Sequence, residues 1–512
     1  MSRPADAIGT LRSRPAGPRL GVGAASIAGL AALLACGGTQ RAVESGPAPQ
    51  AAAAGNVQAT VADYPLGPPP LGTPVPLRVP PVAEHRLSNG LRVLVVQHDE
   101  LPLVDMILAV RTGGEADPPD RAGVATLTAD LLDEGTATRD ALAISEQAAL
   151  IGASISTSAG WDVSSISIRG NTATLDSALA LLADVLLNPA FPEAELERLR
   201  TDRLTSLMQV RDRGPAIADR VFNEVVFGTD HPYGRPLSGT EGSTARIARD
   251  DIVDFYRTYY RPNNSVLVVV GDVQPADLLP RLERLLGSWE RSDAIPAPVM
   301  AAAPPTAAHV YVVDRPGSPQ TSVRIGTTGV ARNTPDYFPL LVMNTTLGGS
   351  FTSRLNQNLR ETHGYTYGAG SRFNMRRDAG PFVASAEVVA AKTDSSLIEF
   401  MKELRAIAEP VPTDELEKTR RYLQLQLPGS FETTTSIARE LLAVALYDLP
   451  LNYFDSYAQR IDAVTQADVK RVVDRYIRPE SLVIVAVGDR ESIEPAIRAA
   501  GFSNVSVRQF TP

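Results

Sequence analysis

At 512 residues the chain is too long for one ordinary domain, and two to four folded units are expected. Apolar residues make up 44% and charged residues 21%, which excludes a disordered or fibrous chain and leaves a globular one with real cores. A net charge of −9, with no long run of either sign, excludes nucleic-acid binding through clustered Lys and Arg.

Residues 20–35, LGVGAASIAGLAALLA, form an apolar run behind Arg3, Arg12, Arg14 and Arg19. The run is shorter than the roughly 20 residues a membrane span needs. A basic leader, an apolar core and small residues predict a secretory signal over residues 1–35. The run ends LLAC, with Leu33 three places before Cys36 and Gly37 just after, and so resembles the lipobox of bacterial lipoproteins. That resemblance implies a lipidated Cys36 and an exported, periplasm-facing lipoprotein. Gly37 in place of Asp implies the outer membrane more than the inner. One acyl chain binds membranes only marginally, so stable anchoring implies several. Cys36 is the only cysteine, so stability comes from cores and interfaces, without disulfides. Residues 36–82 are rich in Ala, Pro and Gly and are predicted to be a tether, with an r.m.s. span of roughly 35–40 Å if flexible.

A first unit is expected over residues 83–291. Asn89-Gly90 is a turn signal, and LRVLVV and LVDMILAV around it have the apolar continuity of buried strands. AGVATLTADLLDEGT, residues 122–136, spaces Val124, Leu127 and Leu131 as one face of a helix. RDALAISEQAALIGA repeats that spacing, and VSSISIRG alternates like a half-buried strand. TLDSALALLADVLLN and FPEAELERLRTDRLTSLM read as helices, the second with Pro192 near its start. DDIVDFYRTYYRPNNSVLVVVGDV then predicts a helix, a turn and a strand.

That closing pattern recurs in ADVKRVVDRYIRPESLVIVAVGD. Pro479 matches Pro262 and Gly488 matches Gly271, both 217 residues apart. Leu416 matches Leu196 at an offset of 220, and Asp336 matches Asp120 at 216. Three matches in order at nearly constant offset make the chain two copies of one α/β unit. A Pro/Ala-rich connector over residues 292–309 precedes the second copy, residues 310–512. Each copy is expected to form a sheet covered on one face by helices.

HPYGRPLSGTEGSTARIARDDIVDFYRTYYRPNNSVLVVVGDV closely resembles the pitrilysin, insulysin and mitochondrial processing peptidase family. LGGSFTSRLNQNLRETHGYTYGAGSRF resembles the same family's C-terminal half. The likeness runs from about residue 80 to 500. It implies an α+β fold of two tandem homologous α/β repeats. Each is a mixed, largely antiparallel sheet with helices on one face, facing a partner across a chamber that admits peptides.

Active members carry an inverted zinc box, HxxEH, on a helix of the first repeat. Two His four apart share one helical face and a zinc ion, and the Glu acts as base on zinc-bound water. The family frame lies without gaps on Gly123 to Thr136. Thr126 stands at the first His, Ala129 at the Glu and Asp130 at the second His; the distal Glu ligand falls on Ser206. Thr and Ser are poor zinc ligands beside imidazole, and Ala cannot move a proton. The five histidines, His85, His98, His231, His309 and His363, include no pair four residues apart. No metal site is therefore expected in this chain.

In LRETHGYTY, Arg360 and Tyr367 match the Arg-Tyr pair that the family uses beside its zinc. The resemblance implies that Arg360 contacts substrate backbone and that the Tyr367 hydroxyl donates to the developing oxyanion. Gly348 and Gly349 fall where the family has a glycine-containing turn near the substrate path, implying either substrate binding or a simple helix cap. In two-subunit members one chain holds the zinc box, and the other supplies the Arg-Tyr pair in trans. The expectation is a non-catalytic, substrate-binding subunit of a heterodimeric zinc peptidase, inactive alone. Its partners would be an HxxEH-bearing subunit that holds the zinc, a peptide or unfolded protein, and a membrane through its lipid, with no nucleic acid. The competing expectation is an inert scaffold or peptide-binding lipoprotein of the same fold.

Overall fold

The apolar runs become the central strands of two six-stranded sheets in a computed structural model that describes residues 79–301, 303 and 306–510. The predicted signal, Cys36 and most of the tether lie outside the described residues. In the first sheet β1 (Ala83–Arg86), β2 (Arg92–Gln97), β3 (Leu103–Val110), β4 (Ser154–Ala159), β5 (Ser164–Asn171) and β6 (Ser265–Gly271) lie in the order β1-β2-β6-β3-β5-β4. The second has β7 (His309–Asp314), β8 (Gln320–Thr328), β9 (Thr366–Phe373), β10 (Pro381–Val389), β11 (Val483–Gly488) and β12 (Val505–Arg508), ordered β12-β7-β11-β8-β10-β9.

Five strands of each sheet correspond in order and direction. β2 runs parallel to β6 as β7 does to β11, and the remaining pairs toward β4 and β9 are antiparallel. Gly271 and Gly488, matched in the sequence, end the equivalent strands β6 and β11. The sixth strand differs. β1 precedes β2 and pairs with it antiparallel, whereas β12 comes from the far end of the chain and pairs parallel with β7.

Strands apolar along their whole length must be buried on both faces, and here each face has a different cover. Val93, Val95, Leu267 and Val269 pack into the first repeat's own helices. The alternate residues Leu94, Val96, Val266, Val268 and Val270 pack with Ile437, Leu441 and Val444, on a helix of the second repeat, Thr434–Leu446. The second sheet receives the reciprocal loan. Val483, Val485 and Val487 meet Ile217, Val221 and Phe222 of helix Gly214–Phe227 from the first repeat. The repeats thus share their cores. Among the described residues no helix is long and apolar enough to cross a membrane.

Strand β4 and helix Gly214–Phe227 were not expected: the first is short and polar, and the second packs on the other repeat's sheet. Val79 and Val82, read as the end of the tether, lie partly buried against the second repeat's core. The helix expected across residues 122–136 spans only Val124–Asp130. Beyond it, Gly135 bridges Asp140 and Thr136 bridges Pro189, and β-bridges require extended backbone rather than helix.

Candidate functional site

In the first repeat three of the positions matched to the family's zinc ligands, Thr126, Asp130 and Ser206, line one pocket with Arg203. Helix Val124–Asp130 starts after Gly123, whose φ of 96° is the left-handed region that glycine tolerates. The buried Asp117 carboxylate accepts from the Gly123 and Ala125 N–H groups, at 2.6 and 3.0 Å, and caps the helix start. Thr126 and Asp130, one turn apart, point toward helix Glu193–Val210, which carries Arg203 and Ser206.

The Arg203 guanidinium occupies the space between these positions. Its Nη1 donates to Thr126 Oγ1 at 2.9 Å and to the Ser238 carbonyl at 3.1 Å, while Nη2 donates to Asp130 at 2.6 Å. Burial raises the Asp130 carboxyl above its ordinary value, and the adjacent Arg203 opposes that shift. Ala129 is wholly buried and brings no donor. The exposed Ser206 lines an open pocket of about 560 Å³ with Thr126, Asp130, Ser158 and Arg203.

Two hydroxyls, a methyl group and one carboxylate already bonded to a guanidinium do not fit a zinc ion, which needs several deprotonated N, O or S ligands. The neighbouring acids do not converge either. Asp133 accepts from Thr157 at 3.1 Å, and Glu134 pairs with Arg198. Among the described residues no three His, Cys, Asp or Glu side chains form a metal cluster. Arg203 was not singled out from the sequence; the available signal was a cation three residues before Ser206, on the same helical face.

The second repeat arranges its marked residues differently. Residues 345–349 and 357–362 both wind as π-helix, a rare form often found at functional sites. Gly348 and Gly349 lie in the first and Arg360 in the second. A Cβ on Gly348 would stand 2.3 Å from Ser371 N and 2.5 Å from Ser371 Oγ. Gly348 therefore lets this turn lie directly against β9. Gly349 likewise abuts Asn344, where a Cβ would be 2.9 Å from Nδ2. Both contacts are with the protein's own chain.

Arg360 and Tyr367 are joined by a tight turn. Gly364, at φ 63°, donates to the Arg360 carbonyl, and Tyr365 donates to that of Leu359. The Arg360 guanidinium lies 4.7 Å from the Phe351 ring centre and 3.3 Å from Glu361. Tyr367, on β9, is 90% exposed. Arg360 and Phe351 border a pocket of about 390 Å³ whose strand wall includes Gly368, Gly370 and Ser385. Its charged wall pairs Arg324 with Glu387 at 3.0 Å, and Arg324 also meets Asp219 of the loaned helix at 2.6 Å. This pocket shares no lining residue with the one around Arg203.

The outer edges of the sheets also differ. On β9, the Asn356 side chain accepts from Ala369 N at 3.2 Å, and Asn344 donates to the Ser371 carbonyl at 3.0 Å. Two amides thereby cap the edge that another strand would otherwise use. On β4, no hydrogen bond reaches the outer backbone edge among the described residues.

Comparison with known proteins adds an independent line. Residues 92–241 match the family described as "Insulinase (Peptidase family M16)", and residues 246–423 match "Peptidase M16 inactive domain". An uncharacterized zinc protease of Rickettsia bellii is 25% identical, over 82% of this chain and 95% of the relative. A protein named a non-peptidase homolog, from Helicobacter pylori, is 23% identical over 80% of this chain and 94% of its own length. A crystal structure titled as the peptidase M16 inactive domain of Pseudomonas fluorescens superposes with a TM-score of 0.75 at 27% identity, covering 80% of this chain and 98% of that one.

Proposed function

The chain belongs to the M16 peptidase family, and we propose that within it this protein is the non-catalytic, substrate-binding subunit of a heterodimeric zinc peptidase. The observation that carries this is a half-exposed Arg360 on the wall of a pocket and, seven residues on, a Tyr367 open to solvent, in a chain whose Thr126 and Asp130 are bonded to Arg203. The zinc, which activates water and polarises the scissile carbonyl, belongs to an HxxEH-bearing partner. Arg360 offers a permanently charged multi-donor fork to the peptide backbone, and Tyr367 a single hydroxyl donor to the carbonyl oxygen as it gains charge. Gly348 serves the site by letting its turn pack against the strand that bears Tyr367, and Gly349 by fitting that turn against Asn344.

The name of the Helicobacter pylori relative, a non-peptidase homolog, supports a chain inactive alone. Cys36 anchors the protein by lipid to the periplasmic side of a membrane, the outer more than the inner, and residues 36–82 serve as its tether. A Cys36→Ser change that leaves the protein membrane-bound would defeat the anchoring part.

The central test is co-purification with an HxxEH-bearing subunit from the same source, followed by peptide-cleavage assays. Neither chain alone should cleave, and the complex should. Tyr367→Phe should lower kcat/KM about 100-fold or more, the typical loss for one oxyanion donor, and Arg360→Ala should raise KM through lost backbone binding. Unchanged cleavage in both variants would favour the scaffold alternative.

A further inference from the structure

We propose that Phe351 is a specificity residue, receiving an apolar or aromatic side chain of the peptide whose backbone Arg360 holds. This rests on the substrate-binding reading above and adds the class of side chain selected. Phe351 is 61% exposed, and with Tyr367 it is one of the two most exposed aromatic residues among those described. Phe351 lines the pocket with Arg360, and Tyr367 directly precedes the wall residue Gly368. A solvent-facing Phe gains little from burial in its own fold, and a second apolar surface removed from water against it supplies further stabilisation.

The ring is held in place. Asn356, almost fully buried, donates from Nδ2 to the Phe351 carbonyl at 2.7 Å and accepts at Oδ1 from Ala369 N at 3.2 Å. One amide therefore ties the Phe351 turn to the strand that carries Tyr367. The Arg360 guanidinium stacks on the ring at 4.7 Å, so the aromatic surface and the backbone-binding cation form one shelf.

The space beside this shelf suits an uncharged side chain. Gly368, Ala369, Gly370 and Ala386 give the pocket small walls. A Cβ at Gly368 would meet only Asn356 Oδ1, at 3.9 Å, so internal packing does not demand glycine there; its bareness keeps the pocket open. Arg324 and Glu387 compensate each other. A Lys or Arg entering beside the ring would give up hydration of its charge.

The test uses the full chain and three fluorescein-labelled decapeptides identical except for Phe, Ser or Lys at the central position, titrated by anisotropy. The Phe peptide should bind about tenfold tighter than the Ser peptide, consistent with burying one large apolar side chain, and the Lys peptide weakest. Phe351→Ala should bring the Phe/Ser ratio close to one. Phe351→Leu should keep most of the ratio. Equal binding of Phe and Ser peptides by the native chain, or a ratio that survives Phe351→Ala, overturns the inference. Arg360→Ala reports separately on the underlying reading: it should weaken all three peptides alike, and no loss there defeats the backbone-binding role even if Phe351 governs selectivity. Absence of binding by every peptide overturns both.

Discussion

The two repeats place their most marked arginines under opposite conditions. Arg203 sits in the first repeat with its side chain only 13% exposed, donating to Thr126, Asp130 and Ser238. Arg360 in the second has the Phe351 ring and a solvent-facing Glu361, and Tyr367, seven residues on, stands in water. A polar group satisfied inside its own chain has little left to offer a ligand. Donors facing water exchange those waters for a ligand at small cost, and gain strength as the site is desolvated. One cluster is closed within its own chain and the other is left open to solvent.

The largest effect should come from breaking the closed site open. A variant with Thr126→His, Ala129→Glu, Asp130→His and Ser206→Glu restores the lost donors yet retains the Arg203 cation among them. It should fail to hold zinc through dialysis, whereas the same variant with Arg203→Ala should retain about one equivalent. Tight zinc in the first variant would show that Arg203 does not block the site.

Next in size are the loaned helices, which keep the two repeats in one cooperative structure. Leu441→Ala and Val221→Ala remove side chains that are about 1% exposed from opposite sheets. The first should cost about 2–5 kcal/mol, and the second less, because it removes fewer methyl groups. Calorimetry should show one shared transition moving in both cases; two separated transitions would mean that the repeats unfold independently.

Arg203→Leu in the otherwise native chain should cost about 1–3 kcal/mol, since it leaves a half-buried Asp130 without its cation. Thermal melts would show the loss, and affinity for peptides at the Arg360 site should be unchanged. A parallel loss of peptide affinity would mean that the two sites are coupled.

The last expected effect is pH-dependent. A loop of the second repeat inserts Arg377 against the first, 3.4 Å from Glu115, and its N–H donates to Asp162 at 2.6 Å. Burial, then the Asp162 charge, pushes Glu115 up to about 8 from an ordinary 4.5, with Arg377 opposing. The folded state therefore holds a proton that the unfolded chain releases. Its stabilising contribution is full below pH 4.5 and is lost as pH rises toward 8. Glu115→Gln should make Tm fall less between pH 5 and pH 9. The decrease should not vanish, because buried Asp117, pushed up to about 7, acts in the same direction. An unchanged slope would remove Glu115 from this account.

Much of the architecture was legible because it depends on local pattern. The apolar runs of β2, β3, β6 and β11 announced buried strands, and the constant offset between Gly271 and Gly488 announced the repeat. The absence of zinc donors at Thr126, Ala129, Asp130 and Ser206 is likewise a matter of residue type, and it is settled by chemistry alone. Position along the chain could also single out Arg360 and Tyr367. It could not show that Tyr367 stands free of the chain or that Arg360 stacks on Phe351, because exposure depends on what the rest of the fold leaves uncovered.

Only the tertiary structure decided which helix covers which sheet, since the exchange of Gly214–Phe227 and Thr434–Leu446 pairs surfaces more than 100 residues apart. It also brought Arg203 to Asp130 across 73 residues and Asn356 to both Phe351 and Ala369. Burial and hydrogen bonding belong to groups that meet in space, and an arginine reads the same in sequence whether it is bonded between two helices or waits at the rim of a pocket.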